Sequence, residues 1–190
     1  MPAESDFVSI ALEAAQHVLS KPLIVRRGAP LLYALGVDNT LTVTANPRAP
    51  VRGDSAFETD LCIFEEKADG IEFPRVVLEF KTGVSTHDVL TYSTKARKHK
   101  QVYPYLRYGL VASNVAYVPR RFYIHNEALD FFLALESKQD SNLLEPLIAD
   151  LLRREVATSR RLESIAFGRI RTVLYRNEIL VEDDIDGGRH

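Results

Sequence analysis

The segment 76–83, with the sequence VVLEFKTG, most strongly limits what this chain can fold into. Its apolar half predicts a strand inside a sheet, yet Glu79 and Lys81 follow two residues apart. Because side chains alternate between the faces of a strand, this carboxylate and this ammonium emerge on the same face. An unpaired charge is costly to bury, so the two groups either form an ion pair at a solvated sheet edge or bind a ligand.

Composition indicates one globular domain: the chain has 190 residues, of which 46% are hydrophobic and 26% are charged. The one cysteine, Cys62, excludes an internal disulfide, and no cluster of cysteine and histidine has the spacing of a zinc site. No apolar stretch reaches the roughly 18 residues of a membrane span, and the acidic N-terminus MPAESDFVSI is unlike a signal peptide. We therefore expect a cytoplasmic protein that has no membrane partner.

Positive charge is concentrated in two segments, although the formal net charge is −2. Segment 95–107 contains five cations and no acid, and segment 152–161 contains four arginines and one glutamate. Such clusters suit a polyanion, but they also occur on the solvated sides of ordinary helices.

Hydrophobic periodicity predicts a mixture of helices and strands. The predicted helices are 5–20, 87–106, 126–136 and 142–156, and the predicted strands are 40–44, 56–64, 75–83, 108–113 and 120–125. Segment 23–36 is ambiguous and allows a short helix, and the segments 169–175 and 178–183 allow a terminal hairpin. The strands on either side of Asp69-Gly70 form an antiparallel hairpin. This order predicts an α/β or α+β fold with helices around a mixed sheet, in a single domain 1–190 whose core spans about 5–136 and whose helical and hairpin extension spans about 140–182.

The arrangement acid-x-Lys occurs three times, and chance alone predicts about one occurrence in a chain of this composition. Only Glu79-Phe80-Lys81 ends an apolar strand, and only there does the preceding strand carry an acid, Asp60. Opposite positions of a hairpin are about 5 Å apart at Cβ, so Asp60 and Glu79 are expected to meet. Two close carboxylates repel each other unless a cation lies between them, and their hard oxygens suit Mg²⁺.

Asp60, eighteen intervening residues and Glu79-Phe80-Lys81 resemble the motif of the PD-(D/E)XK nuclease superfamily, which includes many restriction endonucleases. The predicted order of elements over residues 5–125 is similar to the αβββαβ core of that superfamily. The proline that usually precedes the aspartate is Thr59 here. The resemblance implies a Mg²⁺-dependent DNA endonuclease of the restriction type that hydrolyses phosphodiester bonds. It would act as a homodimer, because cutting both strands of a duplex requires two sites.

The resemblance also implies a role for each site residue. Asp60, Glu79 and the backbone carbonyl of Phe80 would hold Mg²⁺, for which Mn²⁺ is an alternative, and Lys81 would orient the attacking water or stabilise charge on the phosphate. The superfamily often draws a carboxylate from the first helix, which makes Glu13 a candidate for a further ligand. Glu58 is a candidate for a separate reason: it lies two residues before Asp60 and is expected on the same face, where it would be a further ligand, a hydrogen-bond acceptor beside the site, or an exposed carboxylate at the strand end.

The helix after the motif is predicted to contact DNA. Thr94, Lys98, Gln101 and Tyr105 share one face at helical spacing. The pair Gln101 and Tyr105 is similar to a motif of the RecB-like branch of the superfamily, from which Pro104 departs because proline ends or kinks a helix. The predicted DNA-binding residues are Lys95, Arg97, Lys98, Lys100 and Gln101. His99 is predicted to be a core histidine, and Tyr103, Tyr105 and Tyr108 are predicted to pack in the core, with stacking on bases as the alternative.

Three other interpretations remain open at this point. The same residues would serve a structure-specific repair nuclease or a junction resolvase. A nuclease-like fold without catalysis would bind only DNA or a protein. Finally, Glu79 and Lys81 could be a structural ion pair.

Overall fold

A five-stranded mixed sheet lies at the centre of the computed structural model, which describes residues 4–53, 55–136, 141–168 and 170–175. In chain order the elements are α1 (Glu4–Val18), β1 (Leu23–Arg27), β2 (Pro30–Leu32), β3 (Ala56–Glu58), β4 (Leu61–Glu66), β5 (Glu72–Thr82), α2 (Thr86–Val102), β6 (Arg107–Ser113), α3 (Arg120–His125), β7 (Phe131–Leu135) and α4 (Ser141–Phe167). The main sheet has the strand order β1-β4-β5-β6-β7, and β2 pairs with β3 in a separate two-stranded sheet. The coarse prediction, a mixed α/β fold around a mixed sheet, is confirmed.

The hydrophobic alternation of β5 divides the core into two layers. Val76, Leu78 and Phe80 face a cluster that contains buried residues of α1 and α4. Val77 faces the opposite cluster, which contains Ala96 of α2 and residues of β2, β3 and β6. Glu79 and Lys81 have the parity of Val77, so both belong to the face of the sheet that α2 covers.

The pairing of β5 determines which side chains meet at its carboxyl end. β4 and β5 are antiparallel with Leu61 opposite Leu78, so positions 60 and 79 are neighbours. β5 and β6 are parallel, which requires the crossover that α2 provides. Gly83 ends β5 with a φ of 75°, a conformation that glycine adopts without strain. Ser85 then caps α2 through a capping box with Asp88.

Several predicted elements are corrected by the structure. The segment 56–64 is not one strand, because the chain leaves β3 at Glu58 and enters β4 at Leu61. The segment 126–136 is not a helix but contains β7, whose short apolar run FFLAL has no periodicity that separates helix from strand. The segment 120–125 is helix α3 rather than a strand, and it begins directly after Pro119. The segment 23–36 contains β1 and β2 rather than a helix.

Other boundaries also move. α2 ends at Val102 rather than at 106, because Pro104 cannot continue the helix. In place of the strand 40–44 there is a single bridge between Val37 and Val43. α4 extends to Phe167 and contributes Leu144, Ile148, Leu152 and Val156 to the core. Residues 170–175 form no strand, and the segment 178–183 lies outside the described residues.

A buried ionic cluster joins α4 to the middle of the sheet. Arg75 of β5 is fully buried and donates to Glu65 of β4 at 2.7 Å and to Glu163 of α4. Arg160 also donates to Glu65, at 3.0 Å. Within the described part of the chain, no helix combines the length and the apolar character needed to cross a membrane.

Candidate active site

Asp60 and Glu79 meet where β4 begins and β5 approaches its end. Asp60 Oδ2 accepts a hydrogen bond from the backbone N–H of Phe80 at 2.8 Å, which attaches the carboxylate to the residue after Glu79. The backbone around Asp60 is also held: its carbonyl accepts from Gly28 N at 3.2 Å, and buried Thr59 donates to Ala29 O from both its N–H and its hydroxyl. The break between β3 and β4 therefore places Asp60 firmly beside β5.

Glu79 is a buried carboxylate with two partners. Its side chain is 2% exposed, and Oε1 accepts from Lys95 Nζ at 2.7 Å and from the hydroxyl of Tyr108. Burial raises the pKa of the Glu79 carboxyl, and the nearby Asp60 carboxylate raises it further, whereas Lys95 and Tyr108 oppose the rise. The two acids therefore act on each other electrostatically, and a cation between them would relieve their repulsion.

Lys81 lies on the same face as Glu79 and beside the same aromatic ring as Lys95. Lys81 Nζ is 5.7 Å and Lys95 Nζ is 5.1 Å from the centroid of the Tyr92 ring. Burial raises the pKa of Tyr92 to about 12, to which the charges of Glu79 and Asp60 also contribute. One face of the sheet end therefore carries two carboxylates, two ammonium groups and the phenols of Tyr92 and Tyr108.

The donor set of this cluster fits a hydrated Mg²⁺ better than a transition metal. Within residues 4–53, 55–136, 141–168 and 170–175, no three side chains of His, Cys, Asp or Glu form a group able to hold a metal ion. Mg²⁺ needs fewer protein ligands, because it keeps several waters and is bound through one or two carboxylates. Asp60, Glu79 and the carbonyl oxygen of Phe80 supply only hard oxygens, as Mg²⁺ prefers.

Neither of the additional predicted ligands joins the pair. Glu13 is exposed on α1, and that helix packs against the face of β5 opposite to Glu79. Glu58 and Asp60 do not lie on one continuous strand as predicted, because Glu58 ends β3 and Asp60 lies in the break before β4. Its carboxylate is instead paired with Arg52 at 2.9 Å.

The predicted DNA-binding residues of α2 are mostly engaged within the protein. Lys95 pairs with Glu79, and Lys100 pairs with Asp130 at 2.6 Å. Burial lowers the pKa of Lys100, which Asp130 partly restores. Two others have weaker contacts: the Arg97 guanidinium lies 3.5 Å from the Glu127 carboxylate, and the Lys98 ammonium lies over the Tyr33 ring. Gln101 is exposed.

The predicted partnership of Gln101 and Tyr105 on one helix face is wrong. α2 ends at Val102, and Tyr105 is buried beyond that end against Arg75. Tyr103 and Tyr108 are buried as well, which confirms their assignment to the core. His99 is a core histidine as predicted: it is fully buried, its Nδ1 lies 2.9 Å from Leu32 O, and burial lowers its pKa to about 4.

Two residues of the cluster had another assignment in the sequence prediction. Lys95 was assigned to DNA and Tyr108 to the core. Tyr108 reaches Glu79 because β6 pairs in parallel with β5, with Leu110 opposite Glu79. No local sequence signal reveals that pairing, because the two strands are joined only through α2.

No model of a known protein family matches the chain. No curated protein is significantly similar to it in sequence either. The geometry of the cluster therefore carries the functional inference.

Proposed function

We propose that this protein is a Mg²⁺-dependent DNA endonuclease of the PD-(D/E)XK type. The observation that carries the proposal is the neighbourhood of Asp60 and Glu79, joined through the Phe80 N–H at 2.8 Å, with Lys81 on the same face. The order α1, β1, β4, β5, α2, β6 supports it, because Asp60 directly precedes the second strand and Glu79 and Lys81 lie on the third strand of an αβββαβ arrangement. Burying the Glu79 carboxylate at the end of an apolar strand, beside the Asp60 carboxylate, destabilises the fold. Such a conflict between local chemistry and stability is typical of functional sites.

Each of the motif residues has a defined task under this proposal. Asp60, Glu79 and the carbonyl of Phe80 would hold Mg²⁺, which supplies Lewis-acid polarisation of the scissile phosphate. The Phe80 N–H keeps Asp60 in one orientation, so little reorganisation is needed when substrate arrives. Lys81 would offer its ammonium to the charge that develops on the phosphoryl oxygens, or hold the attacking water in place.

A plasmid-nicking assay tests the proposal. Supercoiled DNA incubated with the protein should be nicked or linearised with Mg²⁺ and remain intact with a chelator. Asp60→Asn, Glu79→Gln and Lys81→Met should each reduce cleavage by about a hundredfold or more, because the first two remove a carboxylate that would hold the metal ion and the third removes the charge beside the reacting phosphate.

Lys67→Met provides the matched control for the lysine. Lys67 ends the other acid-x-Lys arrangement of the same hairpin, and its ammonium lies 3.8 Å from Glu65 at the opposite end of the strands. Its removal should leave cleavage unchanged. If Lys81→Met cuts as fast as the parent protein, the assignment of the site is wrong.

The contact between Lys95 and Glu79 favours a second candidate function, a nuclease-like module that binds without cleaving. Lys95 already supplies Glu79 with a cation at 2.7 Å, and Tyr108 donates to the same oxygen. A protein of this kind would bind DNA with a steep salt dependence and show no Mg²⁺-dependent turnover. Binding and cleavage measured on one labelled duplex, with and without Mg²⁺, distinguish the two functions.

The restriction type and the homodimer are finer parts of the proposal. A dimer would supply the second site for the second strand. It predicts linear product without accumulation of nicked circles and a protein mass twice that of the chain by light scattering. A repair nuclease or junction resolvase would instead prefer branched over linear duplex DNA in a side-by-side cleavage assay.

A further inference from the structure

An exposed aromatic and basic surface lies beyond the carboxyl end of β6. It consists of residues 117–125 and is called the 117–125 surface below. Tyr117 is 76% exposed, Tyr123 is 54% exposed and Ile124 is 60% exposed, which is unusual for large apolar side chains so close together. Tyr117 and Ile124 line a cavity of about 890 Å³ together with Arg120, Arg121 and His125.

This surface adjoins the candidate active site. The parallel pairing of β5 with β6 places Lys81 opposite Ala112, four residues before Ala116, which lines the cavity. Gly83 N donates to Ser113 O at 2.8 Å, and Arg121 Nη1 donates to Val84 O at 3.0 Å. The chain that leaves the catalytic strand is thus tied directly to α3. Thr86, the first residue of α2, lines the same cavity.

The charge of the surface suits a polyanion. Segment 116–125, with the sequence AYVPRRFYIH, contains two arginines and a histidine and no acid. The cavity lining contains no acidic side chain either. On α2, by contrast, Lys95 and Lys100 have carboxylate partners at 2.7 and 2.6 Å, so they are less available to phosphates.

The aromatic side chains restrict which polyanion fits. Tyrosine rings bind unpaired bases by stacking, whereas the bases of an intact duplex have their faces covered by neighbouring bases. We propose that the 117–125 surface binds an unpaired nucleic-acid strand next to the bond that is cut, with Tyr117 stacking on a base and Arg120 contacting a phosphate. The placement next to the cut bond rests on the proposed nuclease function, whereas strand binding itself does not.

Fluorescence anisotropy with a labelled single-stranded oligothymidine, in a chelating buffer, tests the inference without any cleavage. Tyr117→Leu should weaken binding about tenfold, because stacking on one base is lost, and Tyr117→Phe should retain it. Arg120→Gln should weaken binding and reduce the slope of log affinity against log salt by about 0.7. Tyr117→Leu should reduce the affinity for a blunt duplex of the same length less than the affinity for the single strand.

Arg153→Gln is the matched control for the arginine. Arg153 is exposed on α4, where it pairs with Asp150 at 3.0 Å, and α4 packs against the opposite face of the sheet. Its removal should leave affinity and salt slope unchanged. Thermal melting of each variant verifies that the substitutions, all at exposed positions, leave the fold intact.

The outcomes separate this inference from the proposed function. Equal affinity of Tyr117→Leu and the parent protein would overturn it, even if Mg²⁺-dependent cleavage is observed. Equal losses in Tyr117→Leu and Tyr117→Phe would also overturn it, because the hydroxyl and not the ring face would then bind. Absence of oligonucleotide binding combined with concentration-dependent dimerisation would assign the surface to a second copy of the chain. Binding that follows the prediction in a protein that never cuts DNA would support this surface while refuting the nuclease.

Discussion

Lys95→Met separates the structural role of the buried ion pair from the role of a metal site. Lys95 Nζ lies 2.7 Å from Glu79 Oε1, and the two side chains are 22% and 2% exposed. Removing one partner of a buried pair costs about 3–5 kcal/mol, because the remaining charge is left without compensation. Methionine keeps most of the aliphatic stem, and the lysine is partly exposed, so we expect a loss of about 3 kcal/mol in the free energy of unfolding at neutral pH.

The loss should depend on pH in a defined direction. Burial raises the pKa of Glu79 in the folded protein above its ordinary value of 4.5. In the absence of Lys95 the pKa of Glu79 rises further. The Glu79 carboxyl therefore stays protonated to a higher pH in the folded state than in the unfolded state. Stability of the variant therefore falls as pH rises from the unfolded pKa through the folded pKa. The difference between variant and parent should be smallest well below pH 4.5, where Glu79 is protonated in both proteins, and largest at alkaline pH.

Urea unfolding of the parent, Lys95→Met, Glu79→Gln and the double variant measures the coupling as a double-mutant cycle. Lys95→Met should lower the free energy of unfolding much less in the Glu79→Gln background, because no buried charge remains at position 79. Mg²⁺ should stabilise Lys95→Met at least as much as the parent, because the ion can then serve as the only cation beside Glu79. A coupling below about 0.5 kcal/mol, or a loss that is the same at acid and alkaline pH, would refute the reasoning.

Three further substitutions test the remainder of the structure. Arg75→Met should lower the free energy of unfolding by about 3 kcal/mol or more in urea titration, because Arg75 is fully buried between Glu65 and Glu163; an effect below about 1 kcal/mol would contradict this assignment. Gly109→Ala should destabilise by at least about 1 kcal/mol, since its Cβ would lie 2.3 Å from the Phe131 ring, and the ring or the two paired strands would have to move; an unchanged melting temperature would show that the pairing is different. His99→Asn should reduce the decrease in the free energy of unfolding at acid pH. Burial lowers the folded pKa of His99 from 6.5 to about 4, so the unfolded state binds more protons between these two pH values. The parent protein therefore loses about 3 kcal/mol of stability as the pH falls through this range. If the variant loses as much stability at acid pH as the parent, groups other than His99 cause that loss.

Local sequence was enough to predict the elements whose signals lie in neighbouring residues. The apolar stripe of α1, the hairpin of β4 and β5 and strand β6 were all predicted, because each rests on a period of two or of about 3.6 residues. The proximity of Asp60 and Glu79 was predictable for the same reason, since the hairpin is a local structure and its alternation determines the faces. Pro104 was recognised as a break in the helix pattern, although the predicted end of α2 was placed beyond it.

Tertiary structure alone decided the features that depend on distant contacts. The split of 56–64 into two strands follows from pairing with β1 and β2, which the chain reaches only after folding. β7 is a strand because β6 offers it a parallel neighbour, and α3 is a helix although half of its six residues are Phe122, Tyr123 and Ile124, which favour strands. The same holds for Lys95: its position on α2 predicted a contact with DNA, but the packing of α2 over β5 brings it to Glu79. Alternation and helical period are read within one element, whereas the partner of a buried charge depends on which element packs above it.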